Sequence, residues 1–201
     1  MKLKEIATIR TGLVLSRKKA LLNAEFKKSY KQITLKSFST TTSLISNYLD
    51  EFISNENIKD TYLSKAGDIV VRLREPNIAV YIDKSEEEMI IPSLMVIIRV
   101  THKDINNEYL AHYLNSTIVK KALQIQIKGT TIPMIKTKDL EDIEIILPTL
   151  KKQKILVNLF KTSQNELKLL TQLKEEKENF VHGVFNTIIN QTKEDNKNAK
   201  N

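Results

Sequence analysis

The chain has 201 residues, a formal net charge of +8 and no cysteine, so it holds no disulfide and no thiol chemistry. Its 41% hydrophobic and 28% charged residues are typical of a globular protein and exclude a chain that is disordered throughout. No apolar run approaches the roughly 20 residues that a membrane span needs, so we expect a cytoplasmic protein without a membrane partner.

Short β-like segments dominate the chain before Pro148. Alternating or Ile/Val-rich stretches predict strands at 29–35, 67–73, 77–82, 94–100 and 142–147. One helix is predicted to begin at a cap near Asn106 or Asn107, and a second to cover 117–127 after Ser116. Together these elements predict an α+β unit of about 150 residues, which is an ordinary domain size.

The pattern changes after Pro148. No proline occurs from Leu150 to Ile189, and apolar residues recur there at near-heptad spacing. They are Leu156, Leu159, Leu167, Leu170, Leu173, Phe180, Val184 and Ile188. A helix of about 40 residues is roughly 60 Å long, too long for a domain of this size to cover. Its apolar stripe therefore predicts a partner helix, from a second copy or from another protein.

The residue patterns that several enzyme classes need are missing. The few glycines are too widely separated for the glycine-rich loop of a methyltransferase or a P-loop, and the histidines have no metal-binding spacing. We therefore predict no catalytic residue and no metal ligand. The carboxylates Asp139, Glu141, Asp142 and Glu144 leave a small Mg²⁺ nuclease as an alternative. However, alternation with isoleucine in the predicted strand at 142–147 favours a solvated strand face.

Charge is segregated along the chain. Residues 1–40 contain ten Lys or Arg and two Glu, whereas residues 41–110 contain seven basic and twelve acidic residues. This distribution favours a face for a polyanion, with nucleic acid as the leading candidate. A generally lysine-rich composition is the alternative explanation of the net charge.

Candidate DNA contacts lie in the polar turns. They are Arg17, Lys18, Lys19, Lys36, Ser37, Thr40, Arg72, Arg74, Lys128, Gly129, Thr130, Thr131 and Lys136. The turn around Gly129 is the best single candidate, because a glycine backbone can approach a phosphate closely. Structural alternatives stay open for each group: solvated or capping loops, and an ion pair from Arg72 or Arg74 to the acidic run at 86–88.

Tyrosine side chains could stack on bases, but we expect a different role here. Tyr30, Tyr81, Tyr109 and Tyr113 occur within apolar patterns. Tyrosine in such a setting is more often part of the core.

Several short motifs follow one another in an order that resembles a known family. They are Lys65-Ala66-Gly67-Asp68-Ile69, Tyr109-Leu110 to Tyr113-Leu114-Asn115-Ser116, Lys128-Gly129-Thr130-Thr131, and Pro148-Thr149-Leu150 with Gln153. Over nearly its whole length the chain resembles a target recognition domain and conserved helix of type I restriction–modification specificity subunits. Full-length members carry two of each, whereas this chain has one, which suggests a half-size subunit that dimerises or a truncated copy.

The resemblance implies the domain organisation. A mixed-sheet target recognition domain occupies 1–148, and a spacer helix at 149–190 forms an antiparallel coiled-coil dimer. A disordered polar tail follows at 191–201.

The resemblance also implies the function. The chain would read one half of a gapped DNA site, palindromic for a two-fold dimer, and dock a methyltransferase subunit that binds S-adenosylmethionine. A restriction subunit would join when present, and the chain itself would bind no cofactor and catalyse nothing. A protein-interaction module assembled through the helix is the alternative.

Overall fold

The computed structural model describes residues 1–20, 28–39, 42–127 and 134–198, with side chains excepted at 127 and beyond 192. This part of the chain divides into two compact units, Met1–Val157 and a second that begins at Asn158. The strands are β1 (Ala7–Thr11), β2 (Lys28–Gln32), β3 (Asp50–Ser54), β4 (Ile69–Arg72), β5 (Ala79–Tyr81) and β6 (Met95–Val100). The α-helices are α1 (Leu3–Ile6), α2 (Asn107–Leu114), α3 (Thr117–Ile127), α4 (Thr137–Glu141) and α5 (Leu150–Asn198).

A four-stranded sheet forms the centre of the first unit. Its strand order is β1-β6-β4-β5, and all three strand pairs are antiparallel. β2 and β3 form a separate antiparallel ribbon. Parallel pairing occurs at two isolated bridges within the described residues, Leu13–Pro92 and Gln32–Ile90. The predicted α+β class, a sheet domain with mixed pairing followed by a long helix, is confirmed.

The central sheet is buried on both faces. Ile69 and Ile98 pack on one face with α2 and α3, while Val70 and Ile97 pack on the other. Two buried faces explain why β4 and β6 read as continuous apolar runs rather than as alternating ones. Four of the five predicted strands therefore correspond to β2, β4, β5 and β6.

The fifth predicted strand, at 142–147, is wrong. Asp142 caps the end of α4, and only Glu144 forms a bridge, to Lys2. The segment is extended because the Leu3 N–H donates to the Ile143 carbonyl at 2.9 Å and the Ile145 N–H to the Met1 carbonyl at 2.7 Å. Alternating apolar residues indicate that one side of an extended segment is buried. Here one side is buried, but the segment does not pair as a strand of a sheet.

The predicted start of α2 is confirmed at atomic detail. The Asn106 side chain accepts a hydrogen bond from the Tyr109 N–H at 2.9 Å, which satisfies one free donor of the first helical turn. α3 follows with the predicted bounds, and α4 was not predicted.

α5 is longer than predicted. It extends to Asn198, eight residues beyond the predicted end at 190, and the predicted disorder of the tail stays a prediction. The compact first unit ends at Val157 rather than at residue 148, because Gln153 and Val157 are buried. The roles assigned to 1–148 and 149–190 stay predictions. No helix within the described ranges is long and apolar enough to cross a membrane.

Candidate nucleic-acid interface

Antiparallel pairing brings most of the predicted DNA contacts to one end of the central sheet. The C-terminal ends of β1 and β4 lie beside the N-terminal ends of β5 and β6, as the pairs Thr11–Val96, Arg72–Met95 and Val71–Ala79 show. We call this the basic end, and it comprises the turns 12–20 and 73–78 together with turn 33–39, which contacts them through Arg72. These three turns contain five Lys or Arg and one acidic residue, Glu75.

The turn after β5, at the opposite end of the sheet, is acidic. There, β5 runs into residues 82–88, which contain four acidic residues and Lys84. The alternative of an ion pair between Arg72 or Arg74 and the run 86–88 does not hold, because the strand order places the run at the far end of the sheet.

Arg72 is held by backbone carbonyl groups instead of a carboxylate. Its Nη1 donates to the Leu35 carbonyl at 3.2 Å and its Nη2 to the Glu75 carbonyl at 3.1 Å, while its Nε is buried without a partner. Burial, and then the positive charge of Arg74, lowers the pKa of Arg72 below its ordinary value. The guanidinium still carries its charge at neutral pH.

Arg74 lies exposed in the turn between β4 and β5. Its backbone pairs with Met134, and the Ile135 N–H donates to the Leu73 carbonyl at 3.0 Å. This pairing brings Lys136, which is also exposed, to the same turn. Lys36 is exposed next to Leu35, to which Arg72 donates. The structure thus brings together Arg72 and Arg74, Lys36, and Lys136 from three separate parts of the sequence.

The basic run after β1 borders the same end. Leu13 fixes this loop by donating its N–H to the Ile91 carbonyl at 2.7 Å, and its own carbonyl accepts from the Ser93 N–H. Arg17 and Lys19 are exposed, while Lys18 forms an ion pair with Glu56 at 2.7 Å. A cavity of about 220 Å³ lies beside Arg17 and Lys18.

The hydroxyl-rich turn has a structural role at Ser37. This residue is fully buried, its hydroxyl donates to the Tyr48 carbonyl at 2.8 Å, and it accepts from the Thr34 N–H at 3.0 Å. The contacts favour an ordinary turn at this position. Five candidate residues lie outside the described residues: Thr40, Lys128, Gly129, Thr130 and Thr131.

The tyrosines pack as expected. Tyr30 and Tyr109 are buried, while Tyr81 and Tyr113 are half-buried. The Tyr109 hydroxyl donates to the Ile146 carbonyl at 2.8 Å and the Tyr113 hydroxyl to the Glu144 carbonyl at 3.1 Å. These hydrogen bonds fasten α2 to the extended segment before α5.

Sequence reasoning did not find the role of Asn115. Its side chain accepts from the Ala79 N–H at 2.8 Å and donates to the Ala79 carbonyl at 2.7 Å. The Asn115 amide thus makes the two hydrogen bonds with Ala79 of the edge strand β5 that the backbone of a further strand would make. The Leu-Asn-Ser motif gave its position but not its partner, which lies 36 residues away.

Two of the four carboxylates of the nuclease alternative are engaged in other contacts. Asp139 accepts from the Lys136 N–H at 2.7 Å, and Asp142 accepts from Lys4 at 2.9 Å and Lys2 at 3.1 Å. Hydrogen bonds from Lys4 and then Lys2 lower the pKa of Asp142 to about 2. Within the described part of the chain, no three histidine or carboxylate side chains are grouped so that they could hold a metal ion.

Comparisons with known proteins agree with this architecture. The family model described as "Type I restriction modification DNA specificity domain" matches residues 1–179. No curated protein matches the chain. The structure is similar to an HsdS subunit from Thermoanaerobacter tengcongensis, with a TM-score of 0.66 and 16% identity over 88% of this chain and 44% of that one.

A second solved structure is similar at a TM-score of 0.58. It comes from work on complex assembly and conformational transition of the type I R-M system, with 18% identity over 89% of this chain and 41% of the other. The chain thus spans less than half the length of both solved chains.

Proposed function

The chain belongs to the family of type I restriction–modification DNA specificity domains, and we propose that it reads one half of a gapped DNA site for partner subunits that perform the chemistry. The observation that carries this proposal is the basic end of the sheet. The contacts of Arg72 bring Lys36 and Arg74 to this end, and the pairing of Met134 with Arg74 brings Lys136 there. Lysines at such a surface supply phosphate contacts and affinity, and base contacts supply specificity.

The long helix would bring in a second copy of the chain, which reads the other half of the DNA site. Its predicted partner-facing residues are exposed from Leu159 onward, including Leu167 at 61% and Phe180 at 71%, while Leu156 is half-buried. Apolar side chains exposed in this number are typical of a helix that associates with another helix. We propose that two copies pair through α5 in antiparallel orientation, so that two identical readers face a palindromic site with a fixed gap.

Catalysis would belong to the partners. We propose that the assembled chain docks a methyltransferase subunit, which binds S-adenosylmethionine, and a restriction subunit when one is present. This chain would need no cofactor of its own, and its cytoplasmic location stays a prediction. The alternative function, a module that binds only other proteins, does not explain the positive charge at the basic end.

DNA binding at this end has a direct test. Lys36→Gln with Lys136→Gln removes two charges, so the slope of log K against log salt should decrease by about 1.8 if each lysine contacts one phosphate. Lys65→Gln with Lys103→Gln is the matched control, because both lysines are exposed at the opposite end of the sheet.

The control pair should leave the salt slope unchanged. Binding of the wild-type protein to duplex DNA at several salt concentrations supplies the reference. Equal loss of slope in both pairs would mean that DNA is attracted by net charge alone, and the proposed surface would be wrong.

A further inference from the structure

The turn that carries Arg74 is fixed from inside. The Asn77 side chain donates to the Leu73 carbonyl at 2.8 Å and to the Arg72 carbonyl at 3.2 Å, closing the turn across its base. On the outside, Met134 and Ile135 pair with the backbone of Arg74 and Leu73. The backbone at Arg74 therefore has a defined direction, which base recognition needs more than phosphate contact does.

Arg72 joins two turns. Its two donated hydrogen bonds end on carbonyl groups of different segments, Leu35 before Lys36 and Glu75 after Arg74. Because its guanidinium is committed to these carbonyls and its Nε is buried, it has few donors left for DNA. Its contacts instead keep the turns of Lys36 and Arg74 at a fixed spacing.

Arg74 has the opposite character. It is exposed, and its guanidinium finds no acceptor among residues 1–20, 28–39, 42–127 and 134–192. It also lies close enough to Arg72 for their charges to interact, which is unfavourable until an acceptor binds. A planar fork of five donors on a fixed turn suits a pair of acceptors on one rigid group, and guanine presents such a pair as O6 and N7 in the major groove.

We propose that Arg74 reads a guanine in the target half-site, with Arg72 as the positioning residue that holds its turn. This assignment rests on the proposed DNA-recognition function. It divides the basic end into a base reader at Arg74 and phosphate contacts at Lys36 and Lys136.

The test is selection of binding sites from randomised duplex DNA by the full chain, as wild type and as Arg74→Gln. The wild type should enrich a motif that contains guanine. The variant should lose the preference at one base pair of each half-site while the rest of the motif is retained. Its affinity for the wild-type site should decrease by about five- to 140-fold, the equivalent of 1–3 kcal/mol, with less effect on sites substituted at that pair.

Arg72→Met separates positioning from general stability. Positioning predicts relaxed preference at the same base pair as Arg74→Gln, with the salt slope unchanged. A merely structural role would weaken binding to all sequences equally. Arg74→Lys retains the charge but loses the fork, so it should not restore the guanine preference.

Two further results would decide against the assignment. If Arg74→Gln selects the wild-type motif with uniformly weaker binding and a lower salt slope, Arg74 contacts phosphate. If the wild type enriches no motif, the proposed DNA-recognition function fails, and the assignment fails with it.

Discussion

The ion pair of Asp68 and Arg99 holds several parts of this domain together. Arg99 donates from Nε and Nη2 to the two carboxylate oxygens at 2.9 and 3.1 Å, and Asp68 also accepts from the Lys65 N–H. The Asp68 side chain is only 4% exposed, and that of Arg99 is 27% exposed. The pair therefore fixes the start of β4 against β6 and the loop before it.

We predict that Asp68→Ala destabilises the protein by about 3 kcal/mol, because it leaves a largely buried guanidinium without its carboxylate. Urea unfolding followed by circular dichroism measures the change. The control is Glu56→Ala at the exposed pair with Lys18, which should cost less than about 1 kcal/mol. Similar losses in the two variants would contradict the importance of burial.

Residue roles could be predicted from the sequence only where a local motif carried them. The Gly67-Asp68 motif marked a strand start, and the positive φ of 89° at Gly67 explains the glycine. Its partner Arg99 lies 31 positions further along the chain, and no local pattern connects the two. The acceptors of Arg72 could not be predicted for the same reason, since a backbone carbonyl acceptor leaves no pattern in a sequence.

The start of α5 is fixed by Gln153. Its side chain is fully buried, accepts from the Asn106 N–H at 2.8 Å, and donates to the carbonyls of Asp104 at 3.0 Å and Pro148 at 2.8 Å. One side chain thus connects three segments: the helix α5, the loop before α2 and the segment before α5.

We predict that Gln153→Leu, which roughly preserves the volume, destabilises the first unit by about 3 kcal/mol. Three backbone groups lose their partner, and each buried group left unsatisfied costs about 1–3 kcal/mol unless water reaches it. Thermal and urea unfolding measure the effect, with Lys152→Leu on the exposed side of the same turn as the control. A variant as stable as the control would show that water replaces these contacts.

Elements were predictable where both faces of a strand are covered. β4 and β6 stand out because their residues are apolar without interruption. β1 and β3, which each expose three of their five residues, were missed, whereas β2 exposes as many and was found from its alternating polar and apolar residues. The alternation at 142–147 is real, but its hydrogen bonds go to the N-terminus and to two tyrosine hydroxyls.

At the scale of the whole molecule, strand order decides where charge accumulates. The sequence showed that basic and acidic residues are segregated, but not that β1 and β4 both end beside the N-terminal end of β6. Only this topology brings the loop of Arg17 and the turn of Arg74 to one end, with the run at 83–88 at the other. The sequence thus predicted that a basic surface exists, but it did not predict which turns come together to form it.

The assembly of two copies is the remaining prediction at this scale. Leu170 and Leu173 are 54% and 52% exposed on α5, and burying one leucine contributes roughly 1.5–3 kcal/mol. We expect the wild type to have a mass of twice 23.1 kDa by light scattering. Leu170→Glu with Leu173→Glu should weaken the dimer at least about 100-fold, because two apolar contacts are lost and charge enters the interface.

The matched control changes the polar face of the same helix. Asn165→Glu with Gln172→Glu adds the same charge at exposed positions, and this variant should stay dimeric. The wild-type dimer should also prefer a palindromic, gapped DNA site over a single half-site, and the Leu170 and Leu173 double variant should lose this preference. A wild type that is monomeric alone and with a methyltransferase subunit would exclude pairing through α5, and a dimer in both double variants would place the interface elsewhere.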